Sequence, residues 1–232
     1  MCKYIIVIII IIIVLLIASY TTGVKFSFGN INYAAIDQVL YINLKDREDR
    51  KTALLEEFKR IDMPFNKITR IDAIKDKFGA YGCTLSHIKA LEYAKQMNYK
   101  TVLICEDDLN FTYGNQLTQF YIGMTRLMKF DVVMLSGTIV EVEKYNDIFD
   151  RATKVMNGSC YLVNYTYYDT LINNLKEGAK YLKKYGHNKG FNLDVYWFNL
   201  QQKDKWYIFK NRLGYQRPSY SDIEYKHVDY PK

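Results

Sequence analysis

Thr101-Val102-Leu103-Ile104-Cys105-Glu106-Asp107-Asp108 passes from five uncharged residues, mostly β-branched or aliphatic, straight into three carboxylates. The first five have the length and composition of a buried strand. Three acids at its carboxyl end put hard oxygen ligands at a sheet edge, where a divalent ion and a phosphate can meet. Taken alone, such a triplet reads equally well as an acidic turn in water.

Strand and helix patterns alternate on both sides of this stretch. Upstream, Val39-Leu40-Tyr41-Ile42-Asn43 predicts a strand, and Leu54, Leu55, Phe58 and Ile61 mark one face of a helix over 47–61. A second strand is expected over 68–74, then a helix over 84–97 carrying Leu85, Ile88, Leu91 and Ala94. Downstream come a polar helix over 115–129, strands over 131–135 and 159–163, helices over 165–184 and 192–202, and a last strand over 206–209. This alternation predicts an α/β domain whose parallel or mixed sheet is covered on both faces, with ligands at the carboxyl ends of strands.

The chain has 232 residues, of which 49% are hydrophobic and 25% charged, enough for one sizeable core and too apolar for global disorder. Its net charge of +7 suits a phosphate-bearing substrate, a membrane surface or nucleic acid without choosing among them. No nucleic-acid partner is expected. Residues 4–18 are all apolar or aromatic and no charge falls between Lys3 and Lys25, so the stretch as a helix would span roughly 30 Å, about one bilayer core. The expected organisation is a transmembrane signal-anchor over 1–23, a short stem over 24–37 and one domain over 38–232, a single-pass protein with a lumenal domain. A cleaved signal is the competing reading, because Thr21, Thr22 and Gly23 are small. The four cysteines form no CxxC pair; Cys83, Cys105 and Cys160 adjoin apolar runs as buried free thiols, and no zinc site is expected.

Two further clusters accompany the acids. Gly79-Ala80-Tyr81-Gly82-Cys83-Thr84 leads into a helix whose first turn holds Ser86 and His87, a hydroxyl and an imidazole suited to a phosphate or a sugar. His87 by itself is more often a satisfied core histidine. The charged run from Leu44 to Lys51 is either an ordinary helix start or a place where Arg47 or Arg50 approaches a nucleotide, since guanidinium forks match phosphates. No GxxxxGK[ST] loop is present, which disfavours a P-loop phosphoryl-transfer enzyme.

Tyr41 to Leu44 with Arg47 and Asp49-Arg50, then Arg70 to Ala73, Gly82-Cys83 with Ser86-His87, and Leu103 to Asp108 resemble, in this order, glycosyltransferase family 25, which includes lipooligosaccharide and procollagen galactosyltransferases. The resemblance continues through Gly158 to Leu162, Leu193-Asp194-Val195, Leu213 to Gln216 and Ser221 to Ile223, covering about residues 38 to 224. One departure is Asn211, where many relatives have a proline shortly before the glutamine.

The resemblance implies a GT-A fold, an α/β/α nucleotide-sugar-binding sandwich with a mixed, mainly parallel sheet. It implies Mn2+ or Mg2+ held by Glu106, Asp107 and Asp108 against the diphosphate of a UDP-sugar. Donor contacts would come from Asn43, Arg47, Arg50, Asp72, Ser86, His87 and Asp107. Asp194 would be the catalytic base of an inverting transfer, with helix capping as its alternative role. The implied donor sugar is galactose, with glucose or N-acetylglucosamine as options, and the acceptor a glycan or the hydroxylysine of a collagen-like protein. A non-catalytic, membrane-anchored binding protein that has kept the fold is the reading from another class.

Overall fold

Eight strands lie side by side in one sheet, the central ones because each offers two apolar faces, and the computed structural model describes residues 35–114, 116–186, 190–221 and 226–229. The apolar run over 4–18 and the stem up to residue 34 lie outside the described residues. Among the described residues no helix is long and apolar enough to cross a membrane. Residues Ala34–Lys232 form one unit.

The strands are β1 (Gln38–Asn43), β2 (Ile68–Asp72), β3 (Thr101–Glu106), β4 (Leu109–Phe111), β5 (Val132–Met134), β6 (Thr138–Lys144), β7 (Phe149–Met156), β8 (Cys160–Asn164), β9 (Trp206–Phe209), β10 (Gly214–Gln216), β11 (Ser219–Ser221) and β12 (Lys226–Val228). The helices are α1 (Glu48–Arg60), α2 (Gly79–Gln96), α3 (Gln116–Thr125), α4 (Tyr168–Tyr185), α5 (Leu193–Tyr196) and α6 (Phe198–Gln201). One sheet of eight strands has the order β2-β1-β3-β8-β5-β9-β7-β6, and β4–β10 and β11–β12 form two small antiparallel ladders.

The large sheet is mixed. β1 pairs in parallel with β2 and β3, and β5 with β9, while the pairings of β8 with β3 and β5, and of β7 with β9 and β6, are antiparallel. β7 and β8 thus run against the other six, so the sheet is less parallel than expected. The reversal of β8 matters for function: it brings the start of that strand beside the carboxyl end of β3, where the Glu106 N–H donates to Ser159 O at 2.9 Å.

Side-chain alternation builds the two cores. Leu40, Ile42, Val102, Ile104, Val132, Met134, Tyr161, Val163, Trp206 and Ile208 face one side, where Ile88 and Leu91 of α2 and Leu171 and Leu175 of α4 cover them. Their alternating neighbours, such as Tyr41 and Phe209, meet Phe58 of α1 and Phe120 of α3, with ring centroids 6.4 Å and 6.2 Å apart. Strands buried on both faces read as continuous apolar runs, which is why the central ones are visible in the sequence. α4 ends at Gly186, whose φ of +79° a side chain would disfavour.

β7 leaves the sheet partway along. It pairs with β9 only over Phe149–Arg151, while its second half stays bonded to β6. There the fully buried side chain of Gln201 stands in for a strand: its Oε1 accepts the Val155 N–H at 2.7 Å and its Nε2 donates to Val155 O at 2.9 Å.

Candidate functional site

Alternation along β3 separates the three acids. Glu106 continues the Val102–Ile104 row toward α2, and Asp107, one step on, points to the side of α1. Glu106 Oε1 lies 3.1 Å from His87 Nε2 and 3.8 Å from Cys83 Sγ, both on α2. Asp107 is held from the opposite direction: Asn43 Nδ2, at the end of β1, donates to Oδ2 at 2.8 Å, and an Arg50 guanidinium nitrogen donates to Oδ1 at 2.9 Å. The triplet is therefore not one convergent set of ligands.

Asp108 sits in the turn between them. Its Oδ2 accepts from Gln216 Nε2 at 2.9 Å and from Arg50 at 3.4 Å, and its backbone carbonyl accepts the Arg217 N–H at 2.7 Å. Its Oδ1 is buried with no hydrogen-bond partner. Burial, then the charge of Glu106, pushes the Asp108 carboxyl up to about 7 against the opposing pull of Arg50. Burial also raises Asp107, with Arg50 and Asn43 opposing it.

Arg50 is the hub of the site. Besides both aspartates, its guanidinium donates to Ser219 Oγ at 3.0 Å and to the Tyr220 carbonyl at 2.6 Å, tying the late β11 strand to α1. A second hub is Asn157, in the left-handed region at φ +73°. Its N–H donates to Asp194 Oδ2 at 3.0 Å, its Nδ2 to Gln216 Oε1 at 2.6 Å, and its Oδ1 accepts from the Ser159 N–H at 2.9 Å. Asp194 is therefore bonded across the β7–β8 link, and Asn192, at the cap position of α5, makes no side-chain cap bond. Burial raises the Asp194 carboxyl, the Asn157 N–H opposing it.

The three acids, Arg50 and Gln216 line one cleft at the carboxyl ends of β1, β2 and β3, whose lining does not include Asn157 or Asp194. Arg50, His87, Glu106, Asp107, Asp108 and Gln216 form its polar wall, and Ile42, Leu44, Ala73 and Ile74 part of its apolar one. Ser86 borders the cleft, but its hydroxyl is engaged within the fold: it donates to Gly82 O at 2.7 Å and accepts the Ile74 N–H at 2.8 Å, which pins the loop after β2 to α2. Gly82 permits that approach, since a Cβ there would lie 2.5 Å from Ile74 O.

The other expected donor contacts stand outside the cleft wall. Asn43 is buried behind Asp107. Arg47 pairs with Asp49 at 2.9 Å, and its carbonyl accepts from Asn43 Nδ2. Asp72 is exposed at the end of β2 and pairs with Arg70 at 3.1 Å. Ser221 lines the cleft, and Asp222 and Ile223 lie outside the described residues. Sequence reasoning assigned no part to Gln216, Asn157, Tyr161 or the Cys83 sulfur. The four-residue spacing of Cys83 and His87 becomes a signal only once α2 is known to begin at Gly79, five residues before the expected start.

A divalent ion passes a test of fit here. Asp108 offers a buried carboxylate oxygen that no protein group satisfies, and the Glu106 side chain is 22% exposed in the same cleft. Asp107 does not offer the same, because Asn43 and Arg50 engage both of its oxygens.

No protein-family model matches the chain, and no curated protein matches it. Among solved structures it is similar to A197 from STIV, at 12% identity and a TM-score of 0.45 over 84% of this chain and 95% of that one. It is also similar to a glycosyltransferase involved in the glycosylation of the major capsid of PBCV-1, at 9% identity and a TM-score of 0.47 over 77% of this chain and 92% of that one. A third is the glycosyltransferase GlyE of Streptococcus pneumoniae TIGR4, at 13% identity and a TM-score of 0.41 over 76% of this chain and 45% of that one. With every score this low, no residue role or chemistry is carried over from these proteins.

Proposed function

We propose that this chain is a metal-dependent glycosyltransferase that moves a hexose from a UDP-sugar to a hydroxyl acceptor, the activity implied by the family 25 resemblance. The observation that carries the reading is Asp108 Oδ1, a buried carboxylate oxygen without a partner, set in a cleft at the carboxyl ends of parallel strands. Asp108, with Glu106 beside it, would hold Mn2+ or Mg2+. When bound, the ion supplies positive charge to a departing diphosphate. Asp107 acts as a positioning residue, locked by Asn43 and Arg50 so that the turn presents Asp108. The remaining Arg50 bonds hold β11 at the mouth of the same cleft.

Asp194 is the group assigned to take the proton of the acceptor hydroxyl in an inverting displacement. Its carboxyl is buried and shifted toward a stronger base, and a hydrogen bond from Asn157 orients it. Asp194→Asn should abolish transfer and leave UDP binding intact; equal loss of both refutes this role.

By resemblance the donor sugar is galactose, ahead of glucose and N-acetylglucosamine, and the acceptor is a glycan or a hydroxylysine. Residues 1–23 are proposed to anchor the chain in a membrane with the domain on the lumenal side, so the protein should resist extraction by alkaline carbonate. The activity is tested with the full chain in detergent against a panel of UDP-sugars, with Mn2+ and then with EDTA. Metal-dependent release of UDP from one sugar, lost in Asp108→Asn, is the expected result. No release from any donor, together with no binding of UDP, overturns the reading in favour of a non-catalytic binding protein.

A further inference from the structure

Cys83, His87 and Glu106 make a second constellation that the acidic turn does not explain. Their sulfur, nitrogen and oxygen atoms all lie within 4.8 Å of one another, the only such group of three among the described residues. The separations are 3.1 Å from nitrogen to oxygen and 3.8 Å from sulfur to oxygen. Ligand atoms about 2.0–2.3 Å from a tetrahedral ion lie roughly 3.3–3.8 Å apart, so the two separations from the Glu106 oxygen are already close to those a metal requires.

Three features around the set favour an ion. Cys83 and His87 are four residues apart on α2, hence on one face of a rigid helix. The far ring nitrogen, His87 Nδ1, lies 2.8 Å from the hydroxyl of the fully buried Tyr161, the kind of outer bond that fixes the ring and leaves Nε2 to bind. Gly158 leaves room for the imidazole, since a Cβ there would lie 3.3 Å from His87 Cε1.

We infer that Cys83, His87 and Glu106 form a binding site for a zinc-class transition-metal ion, which shares Glu106 with the oxygen site proposed at Asp108 and differs from it in its thiolate and imidazole donors. Thiolate, imidazole and carboxylate suit Zn2+ or Co2+ rather than Mg2+. All three residues line the cleft, so a fourth coordination position would face it, as in open rather than closed zinc sites. On binding, the Cys83 proton leaves to solvent and the imidazole carries its remaining proton on Nδ1, donating to Tyr161. The absence of a CxxC pair, from which no zinc site was expected, does not bear on a site built from one helix and the end of a strand.

The test is titration of the full chain, in detergent, with Co2+ and then competition with Zn2+. The expected result is a near-ultraviolet thiolate-to-cobalt charge-transfer band that saturates at one ion per chain, disappears on adding Zn2+, and is absent in Cys83→Ser. Tyr161→Phe should keep the band and weaken binding by roughly tenfold. Asp108→Asn should keep the band at one ion per chain while UDP release is lost, and the band is read without glycosyltransferase activity, so failure of either proposal is seen separately. Native tryptophan fluorescence in Cys83→Ser shows that the variant is folded. No band in the native protein, or a band that survives Cys83→Ser and so comes from another cysteine, overturns the inference.

Discussion

Replacing Arg50 with methionine tests the electrostatics of the cleft most directly. The Arg50 side chain is 11% exposed, that of Asp107 9% and that of Asp108 5%, so the substitution leaves two nearly buried carboxylates without their cation. Coulomb's law at an effective dielectric of 20 gives about 4 kcal/mol for one pair at about 4 Å, and removing one partner of a buried pair costs about 3–5 kcal/mol. Arg50→Met should therefore lose about 4 kcal/mol. With a urea slope of about 2 kcal/mol per molar, the unfolding midpoint moves down by about 2 M. Trp197 and Trp206, both fully buried with ring centroids 5.2 Å apart, report that transition by fluorescence. Two controls make the result specific. Lys95→Met, which breaks an exposed pair with Asp169, should cost under about 1 kcal/mol, and that cost should vanish in molar salt, while the Arg50 loss persists. Adding Asp107→Asn to Arg50→Met should recover part of the loss by removing one stranded charge. A loss below about 1 kcal/mol, or a double variant no more stable than the single one, refutes the account.

Three further outcomes follow from the geometry. In metal-free buffer the folded Asp108 carboxyl, raised to about 7, holds its proton where the unfolded one has lost it, so its contribution to stability is full at low pH and is lost as pH rises through about 7. Urea midpoints across that range should flatten in Asp108→Asn, and an unchanged slope rejects the assignment. Gly82→Ala sets a Cβ 2.5 Å from a backbone carbonyl that cannot yield cheaply; the clash, about 1–3 kcal/mol, should outweigh the helix gain of about 1 kcal/mol and raise the donor KM through the displaced loop. Gln201→Leu leaves the Val155 N–H buried without its acceptor, and calorimetry should show a loss of about 1–3 kcal/mol; an unchanged Tm would mean that β7 finds another partner.

The parts of this fold that the sequence reveals are those where burial on two faces leaves no choice of residue. β1, β3, β5, β8 and β9 are unbroken apolar runs, and they lie where expected. The β6–β7 hairpin escaped because Thr138–Lys144 is a mostly exposed edge strand in which Glu141, Glu143 and Lys144 blur the alternation. Two glycines hid the first turn of α2, since intrinsic preference favours a loop there and only packing against Ile74 makes Gly82 useful in a helix. The stretch 192–202, expected as one helix, is two short ones that meet at Trp197, whose indole donates to Val155 O. At the site, the presence of the acids was legible and their division was not. Consecutive strand residues face opposite ways, and only the positions of α1 and α2 show that Glu106 answers to His87 while Asp107 answers to Arg50.

The bonds from Arg50 to Ser219 and Tyr220 join residues 169 and 170 positions apart. The penalty for closing such a loop grows only slowly with its length, but contacts this distant are slow to form and are made late in folding. During synthesis, Arg50, Asp107 and Asp108 leave the ribosome long before the strand that completes their surroundings, so the cleft has no finished form until Ser219 and Tyr220 have emerged. A chain cut short before Ser219 would keep most of its two cores and every acid of the turn, yet lose two of the bonds that hold the Arg50 guanidinium in place. Nonsense and frameshift changes shortly before the codon for Ser219 should therefore yield protein that accumulates with an unfinished cleft.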